Sequence, residues 1–262
     1  MTIKPLIITA TPNISWLHPE IRYARSLEEF VEEAKQSAKE GASIIHVHAE
    51  GAWGKYIDTL RRETNVIVQC GMSSLDISER MEVFTHRADM ISVILGHHDE
   101  AFVNVQTHKL HTREELEEYM KLSKRYGVKP EFEVWHLGHV WNLRYLIGKN
   151  LVSTPYFATL FFNWPGGNWT PATVQEYIYR RSMIPTDGIF SVSVMGNEMK
   201  ELLVHAVLEG DHVRVGTEDH PFIGDRPATT HELVAWIRDI AKDLGRKIAS
   251  VDEARTIIMG EL

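Results

Sequence analysis

Two histidines in the segment SIIHVHAEG, His46 and His48, close a run of β-branched residues. Residues i and i+2 of a strand point to the same face, so both imidazoles would project together from a strand end. Such a pair can grip one divalent cation; two packed or exposed histidines are the alternative reading. A catalytic zinc takes three protein ligands and keeps one position open, which calls for a third donor. The segment DHVRVGTEDH supplies Glu218 directly after another apolar run. Arg214 and Asp219 flank it, three charged residues within a few positions. They read either as part of a site or as solvated loop charges, with an Arg–Asp ion pair fixing the loop.

Weaker candidates follow other apolar runs. In NVIVQCGMSS, Gly71 permits close backbone approach, and Ser73 or Ser74 offers a hydroxyl to a substrate carboxylate. A loop and helix cap before Asp76 is the competing reading. In KPEFEVWHLG, Glu131 and Glu133 alternate onto one strand face, where an unpaired buried carboxylate would be costly. His97, His98 and His136 also sit after apolar runs and read more simply as satisfied polar residues. The Asn163–Gly167 segment, NWPGG, is a turn that could also present backbone N–H groups to an anion. Cys70 has no basic activator nearby in sequence and reads as core.

These positions need elements to hold them. Eight runs read as strands: Leu6–Thr11, Ser43–His48, Asn65–Cys70, Asp89–Leu95, Pro130–Trp135, Tyr156–Phe162, Ile189–Val194 and His212–Gly216. Most are continuously apolar, as strands buried on both faces are. Helices alternate with them. Ser26–Glu29 and Thr112–Glu115 have the capping-box pattern, the latter opening a helix to about Tyr126. Leu27, Phe30, Val31, Ala34 and Ala38 line one face of the first helix. Leu233, Ile237, Ile240 and Leu244 form a late stripe closed by Gly245, and Ser250–Glu253 opens a last short helix. Eight βα units over residues 1–262 predict one α/β domain, a (β/α)8 TIM barrel, with its chemistry on the loops after the strands. A doubly wound sheet is the alternative. The first strand–helix turn carries no GxGxxG, so a dinucleotide site is not supported. In a closed barrel the eighth and second strands both flank the first, which would bring Glu218 to His46 and His48.

Composition sets the outer limits. The chain has 262 residues, with 28 Lys and Arg against 36 Asp and Glu, a formal charge of −8. That balance argues against broad binding to nucleic acid or anionic membranes. One cysteine excludes an intramolecular disulfide framework. The run PLIITATP is too short for a signal core or a membrane span, so a cytoplasmic protein is expected.

Taken together, EGASIIHVHAEG, KPEFEVWHLG, PYFATLFF, DHVRVGTEDH and KDLGRKIASVDEAR resemble the β-keto acid cleavage enzyme family, in order and over nearly the whole chain. The resemblance implies a (β/α)8 barrel, usually tetrameric. It further implies a zinc-dependent enzyme that condenses a β-keto acid with acetyl-CoA to give acetoacetate and a new CoA ester. It puts the metal on His46, His48 and Glu218, and an acid/base dyad on Arg214 and Asp219. Ser73 matches a serine that helps hold the substrate carboxylate. Glu133 matches an acidic strand residue, a role for which Glu131 competes. Two departures stand out. Family members usually have an arginine two residues after the second histidine, where this chain has Glu50. Members acting on amine-bearing substrates have an acidic residue after the first strand; here TPNIS offers Asn13 and Ile14. A metal-dependent aldolase or hydrolase on the same barrel, or a non-catalytic metal- or metabolite-binding paralogue, is the alternative.

Overall fold

The computed structural model describes residues 4–49, 51–101, 106–164 and 169–260. Its central element is a closed parallel barrel of eight strands. In chain order these are β1 (Ile8–Thr11), β2 (Ile44–Val47), β3 (Ile67–Cys70), β4 (Met90–Ile94), β7 (Lys129–Val134), β8 (Tyr156–Phe162), β9 (Gly188–Val194) and β10 (His212–Gly216). All eight expected strands are present. β1 pairs with β10 on one side and β2 on the other, which closes the barrel.

Among the described residues, eight α-helices separate or follow these strands: α1 (Leu27–Glu40), α2 (Trp53–Glu63), α3 (Met81–Thr85), α4 (Arg113–Tyr126), α5 (Leu137–Gly148), α6 (Val174–Met183), α7 (Met199–Glu209) and α8 (Thr230–Asp243). A further helix, α9 (Val251–Met259), closes the chain. Ser26 forms the full reciprocal capping box expected of it, and Ser250, expected to open the last helix, forms one as well. Thr112 caps α4 by accepting from the Glu115 N–H, while the Glu115 carboxylate pairs with His111 Nδ1 at 3.1 Å. α8 ends at Asp243, and Gly245, one residue past its cap, takes a φ of +78°. Of the stripe on α8, Leu233 and Ile237 are buried, whereas Leu244 is 39% exposed. No helix among the described residues is long and apolar enough to cross a membrane.

Two hairpins lie outside the expected elements: β5 (His97–Ala101) with β6 (Gln106–Leu110), and β11 (Phe222–Ile223) with β12 (Arg226–Pro227). Their sequences are almost wholly polar (β5 and β6) or only two residues long (β11 and β12), so neither gives an apolar run to read.

The barrel interior is layered by the two-residue period of its strands. Ile7, Ile44, Ile67, Met90, Phe157 and Ile189 form an apolar floor, sealed by Ala254 and Ile258 of α9. Two residues further along these strands stand Thr9, His46, Gln69, Ser92, Thr159 and Ser191, all buried and all polar. The intervening residues, among them Ile45, Val68, Ile91, Ala158 and Phe190, belong to the large outer core together with Phe30, Leu60, Leu143 and Leu233 from the helices. The apolar floor thus stops halfway up the barrel, and a polar layer begins beneath the mouth.

A candidate metal and acid–base site at the barrel mouth

His46 lies at the third position of β2, and His48 follows that strand by one residue. Their Nε2 atoms are 3.0 Å apart. Glu218, in the loop after β10, reaches both: Oε1 is 3.1 Å from His48 Nε2 and Oε2 is 3.6 Å from His46 Nε2. The expected trio converges, 170 residues apart in sequence, because β1 carries β10 and β2 on its two edges. One ligand atom from each lies within 4.8 Å of the others.

These side chains fit a divalent cation. Tetrahedral ligands at zinc distances stand about 3.3 Å apart, close to the separations seen. His46 Nδ1 meets Gln69 Oε1 at 2.8 Å, which puts the ring proton on Nδ1 and turns the Nε2 lone pair toward the trio. Burial and the nearby Arg214 guanidinium push His46 well below the usual imidazole range, so the ring is neutral, as a ligand must be. Asn13 clamps the main chain of His48, accepting from its N–H at 3.1 Å and donating to its carbonyl at 2.5 Å. Gly71 leaves the space into which both rings converge. A Cβ there would come within 2.4 Å of His46 Nε2 and 2.8 Å of His48 Nε2.

Beside the trio stands a buried ion-pair network. Arg214 Nη2 donates to Glu218 Oε1 at 2.6 Å, and Arg214 Nε donates to Asp219 Oδ1 at 3.1 Å. Burial opposes ionisation of Glu218, but Arg214, His48 and His46 outweigh it and hold the carboxyl well below its ordinary range. Asp219 also accepts from Thr11 Oγ1 at 3.1 Å and Ser193 Oγ at 3.0 Å. Its carboxyl is nevertheless pushed up, because complete burial and the neighbouring Glu218 prevail over Arg214. One carboxylate is thus kept anionic and the other made more basic, a division that suits a ligand and a proton acceptor. The close fit of the loop after β10 requires Gly216, whose φ is +157° and where a Cβ would lie 2.2 Å from Thr11 Oγ1.

Ser73 and Glu133 are also brought together. Ser73 Oγ donates to Glu133 Oε1 at 2.8 Å, and Trp135 Nε1 donates to Oε2 at 3.0 Å. Both residues line, with the trio and Arg214, a cavity of about 320 Å³ at the barrel mouth. Glu131 sits deeper. It is 1% exposed, accepts from Thr159 Oγ1, and is pushed up to about 8 by burial and by Glu133. Of the two strand carboxylates, Glu133 is therefore the one that lines the cavity. Ser74 and His98 line it as well. His97 and His98 belong to β5, and His136 caps α5 by accepting from the Gly138 N–H. Cys70 is buried, with its thiol pushed up to about 12 by desolvation. Glu50 and residues 165–167 of the NWPGG segment lie outside the described residues; Asn163 and Trp164 line a neighbouring pocket.

Sequence reasoning did not single out Gln69, Thr11 or Ser193, and gave Asn13 no positioning role. Gln69 carries a faint signal, a polar residue interrupting the apolar run that ends in Cys70. The others are recognisable through the contacts that barrel closure creates.

A model of the β-keto acid cleavage enzyme family matches residues 5–259. The chain belongs to the β-keto acid cleavage enzymes. A 3-keto-5-aminohexanoate cleavage enzyme of Fusobacterium nucleatum is 30% identical over 284 aligned positions, covering 98% of each chain. The 3-dehydrocarnitine:acetyl-CoA trimethylamine transferase of Rhizobium meliloti is 25% identical, with 87% of each chain covered. Among solved structures, apo ObcA superposes with a TM-score of 0.71 at 17% identity. That match covers 90% of this chain and 65% of the longer ObcA chain, and it shows the shared barrel fold.

Proposed function

We propose that this chain is a zinc-dependent β-keto acid cleavage enzyme that uses acetyl-CoA as co-substrate. The observation that carries the reading is the convergence of His46, His48 and Glu218 at one cavity that Arg214 also lines, with Asp219 buried behind it on the Arg214 guanidinium. In the reaction, C2 of the β-keto acid bonds to the acetyl carbonyl carbon and its bond to the keto carbon breaks. The CoA sulfur passes from the acetyl group to the released acyl group. Acetoacetate and a new acyl-CoA result, with no redox change.

His46, His48 and Glu218 would hold the metal, which when bound polarises the keto carbonyl and favours loss of the adjacent proton. Asp219 takes that C2 proton; its burial makes it a stronger base than a solvated carboxylate. Arg214 fixes Asp219 in place and balances the charge of the two neighbouring carboxylates. Ser73 and Glu133 form a hydrogen-bonded wall that positions substrate. A homotetramer is the assembly we propose from the family, to be measured by light scattering of the eluting protein.

The reading is tested with zinc-loaded protein, acetyl-CoA and a panel of β-keto acids, following acyl-CoA products by mass spectrometry. The expected result is a new CoA ester from at least one acid. Asp219→Asn should lower kcat about 10²- to 10⁴-fold while retaining the metal. Acid cleavage without acetyl-CoA would instead favour the aldolase or hydrolase reading.

A further inference from the structure

The cavity at the barrel mouth has an apolar arc in its lining. It is made by Trp135, just after β7, Phe161 of β8, Trp164 and Trp169 in the segment beyond β8, and Met195, just after β9. The Trp169 ring is the hub, with centroids 5.1 Å from Trp135, 4.8 Å from Phe161 and 5.1 Å from Trp164. Trp135 and Phe161 form with Ile94 a buried apolar cluster of their own, apart from the barrel floor and the outer core, and Trp169 packs against it.

The strand order puts this arc across from the metal trio. Four pairings separate β7 from β1 whichever way the closed barrel is followed, so these two strands are diametrically opposed. The trio comes from β2 and the loop after β10, the two neighbours of β1. A β-keto acid whose keto oxygen faces the trio therefore extends across the mouth. Ser73 stands on the β3 side of that line and the arc on the β8 side, which leaves the β8 side for the substrate's tail. The arc is also fixed in advance. Arg180 is fully buried, and its Nη1 donates to the carbonyls of Val134, Trp135 and Phe161 at 2.9, 2.8 and 2.9 Å. Its Nη2 donates to Thr170 Oγ1 at 2.7 Å, next to Trp169. One guanidinium thus joins the ends of β7 and β8 to the segment that carries the hub ring, which lowers the ordering cost of binding.

The charges around the arc decide which tail suits it. Phe161 already has a guanidinium near its face, with Arg214 Cζ 5.0 Å from the ring centroid. Glu133 accepts from Ser73 Oγ and Trp135 Nε1, and Glu100 Oε2 lies 2.6 Å from His98 Nε2. A tail bearing an ammonium would meet the Arg214 cation and the bound metal, with both nearby carboxylates turned to other donors, and its burial would be costly. A hydrocarbon tail gains from each carbon it hides.

We propose that this arc is the side-chain subsite of the β-keto acid and that it selects an uncharged, branched or aromatic hydrocarbon tail. This rests on the β-keto acid reading and deepens it by naming the substrate class. Phe161, Trp169 and Met195 then touch the tail and set specificity.

The test is calorimetric titration of the zinc-loaded enzyme, without acetyl-CoA, with three freshly prepared β-keto acids. They are 3-oxopentanoate, 3-oxo-5,5-dimethylhexanoate, and the isostere of the latter in which trimethylammonium replaces the tert-butyl group. The tert-butyl acid should bind about 10- to 100-fold more tightly than 3-oxopentanoate, the gain expected from burying three more carbons. It should bind at least about tenfold more tightly than its charged isostere, which has the same shape. Trp169→Ala and Met195→Ala should each cut the preference for the tert-butyl acid over 3-oxopentanoate at least about fivefold. Circular dichroism confirms folding, and Met195→Ala decides the matter if Trp169→Ala fails to fold. Equal or tighter binding of the charged isostere, no gain from the ethyl to the tert-butyl acid, or folded variants that keep the wild-type preference would overturn the proposal. Turnover separates the two readings: acyl-CoA formation with no preference among tails refutes the subsite alone, whereas selective binding of the tert-butyl acid without acyl-CoA formation from any β-keto acid refutes the reaction alone.

Discussion

Glu131 makes the polar layer of the barrel measurable. The carboxyl is buried beneath the cavity and is pushed up to about 8 by burial first and Glu133 second, from an ordinary 4.5. The folded protein therefore keeps this proton until about pH 8, while the unfolded chain releases it near 4.5. Between those limits the folded state binds more protons, so stability falls as pH rises. The contribution is fully present below 4.5 and is lost as pH climbs through 8. From pH 5 to pH 8 the loss amounts to about 3 kcal/mol, at 1.36 kcal/mol per unit of pKa difference. Glu131→Gln retains a neutral acceptor for Thr159 and has no proton to lose. Urea unfolding of both proteins at several pH values, with a chelator present so that metal binding does not contribute, reads the difference. The wild-type free energy should fall by about 3 kcal/mol more than that of Glu131→Gln across this interval. Parallel curves for the two proteins would refute the assignment of a neutral buried acid.

Other perturbations address the mouth of the barrel. Gln69→Leu removes the acceptor that orients His46 and should weaken zinc binding about 10- to 100-fold, measured by competition with a chromophoric chelator; unchanged affinity would show that His46 is oriented by packing alone. Gly71→Ala places a Cβ where the two imidazoles converge, so it should abolish stoichiometric metal binding while leaving the far-ultraviolet circular dichroism of the barrel intact. A variant that still binds one zinc would mean that the rings converge elsewhere.

Much of this fold was legible in the sequence because parallel strands covered on both faces read as unbroken apolar runs. The eight runs matched strands within two residues at each end. Ser26 and Ser250 marked helix starts for the same local reason: the cap is made by residues three positions apart. His46 and His48 were readable from the strand period, and Glu218 followed once β1 was expected between β2 and β10. The β5–β6 hairpin was not legible: its strands, HHDEA and QTHKL, are polar and charged in all but their last residues and look like loop. With the hairpin went the pairing of His98 with Glu100. The clamp of Asn13 on His48 and the bonds from Thr11 and Ser193 to Asp219 were equally hidden, since they join strand ends whose proximity exists only after closure. Gln69 was visible as an intrusion in an apolar strand, but its partner was not.

The account depends above all on one divalent ion shared by His46, His48 and Glu218. Its most direct measurement is metal content by plasma mass spectrometry after zinc loading and dialysis, for wild type, His46→Ala and Glu218→Ala at matched folding. About one zinc per chain in wild type, and far less in both variants, is the predicted result. A variant retaining the full wild-type complement, or wild type holding none, would contradict it.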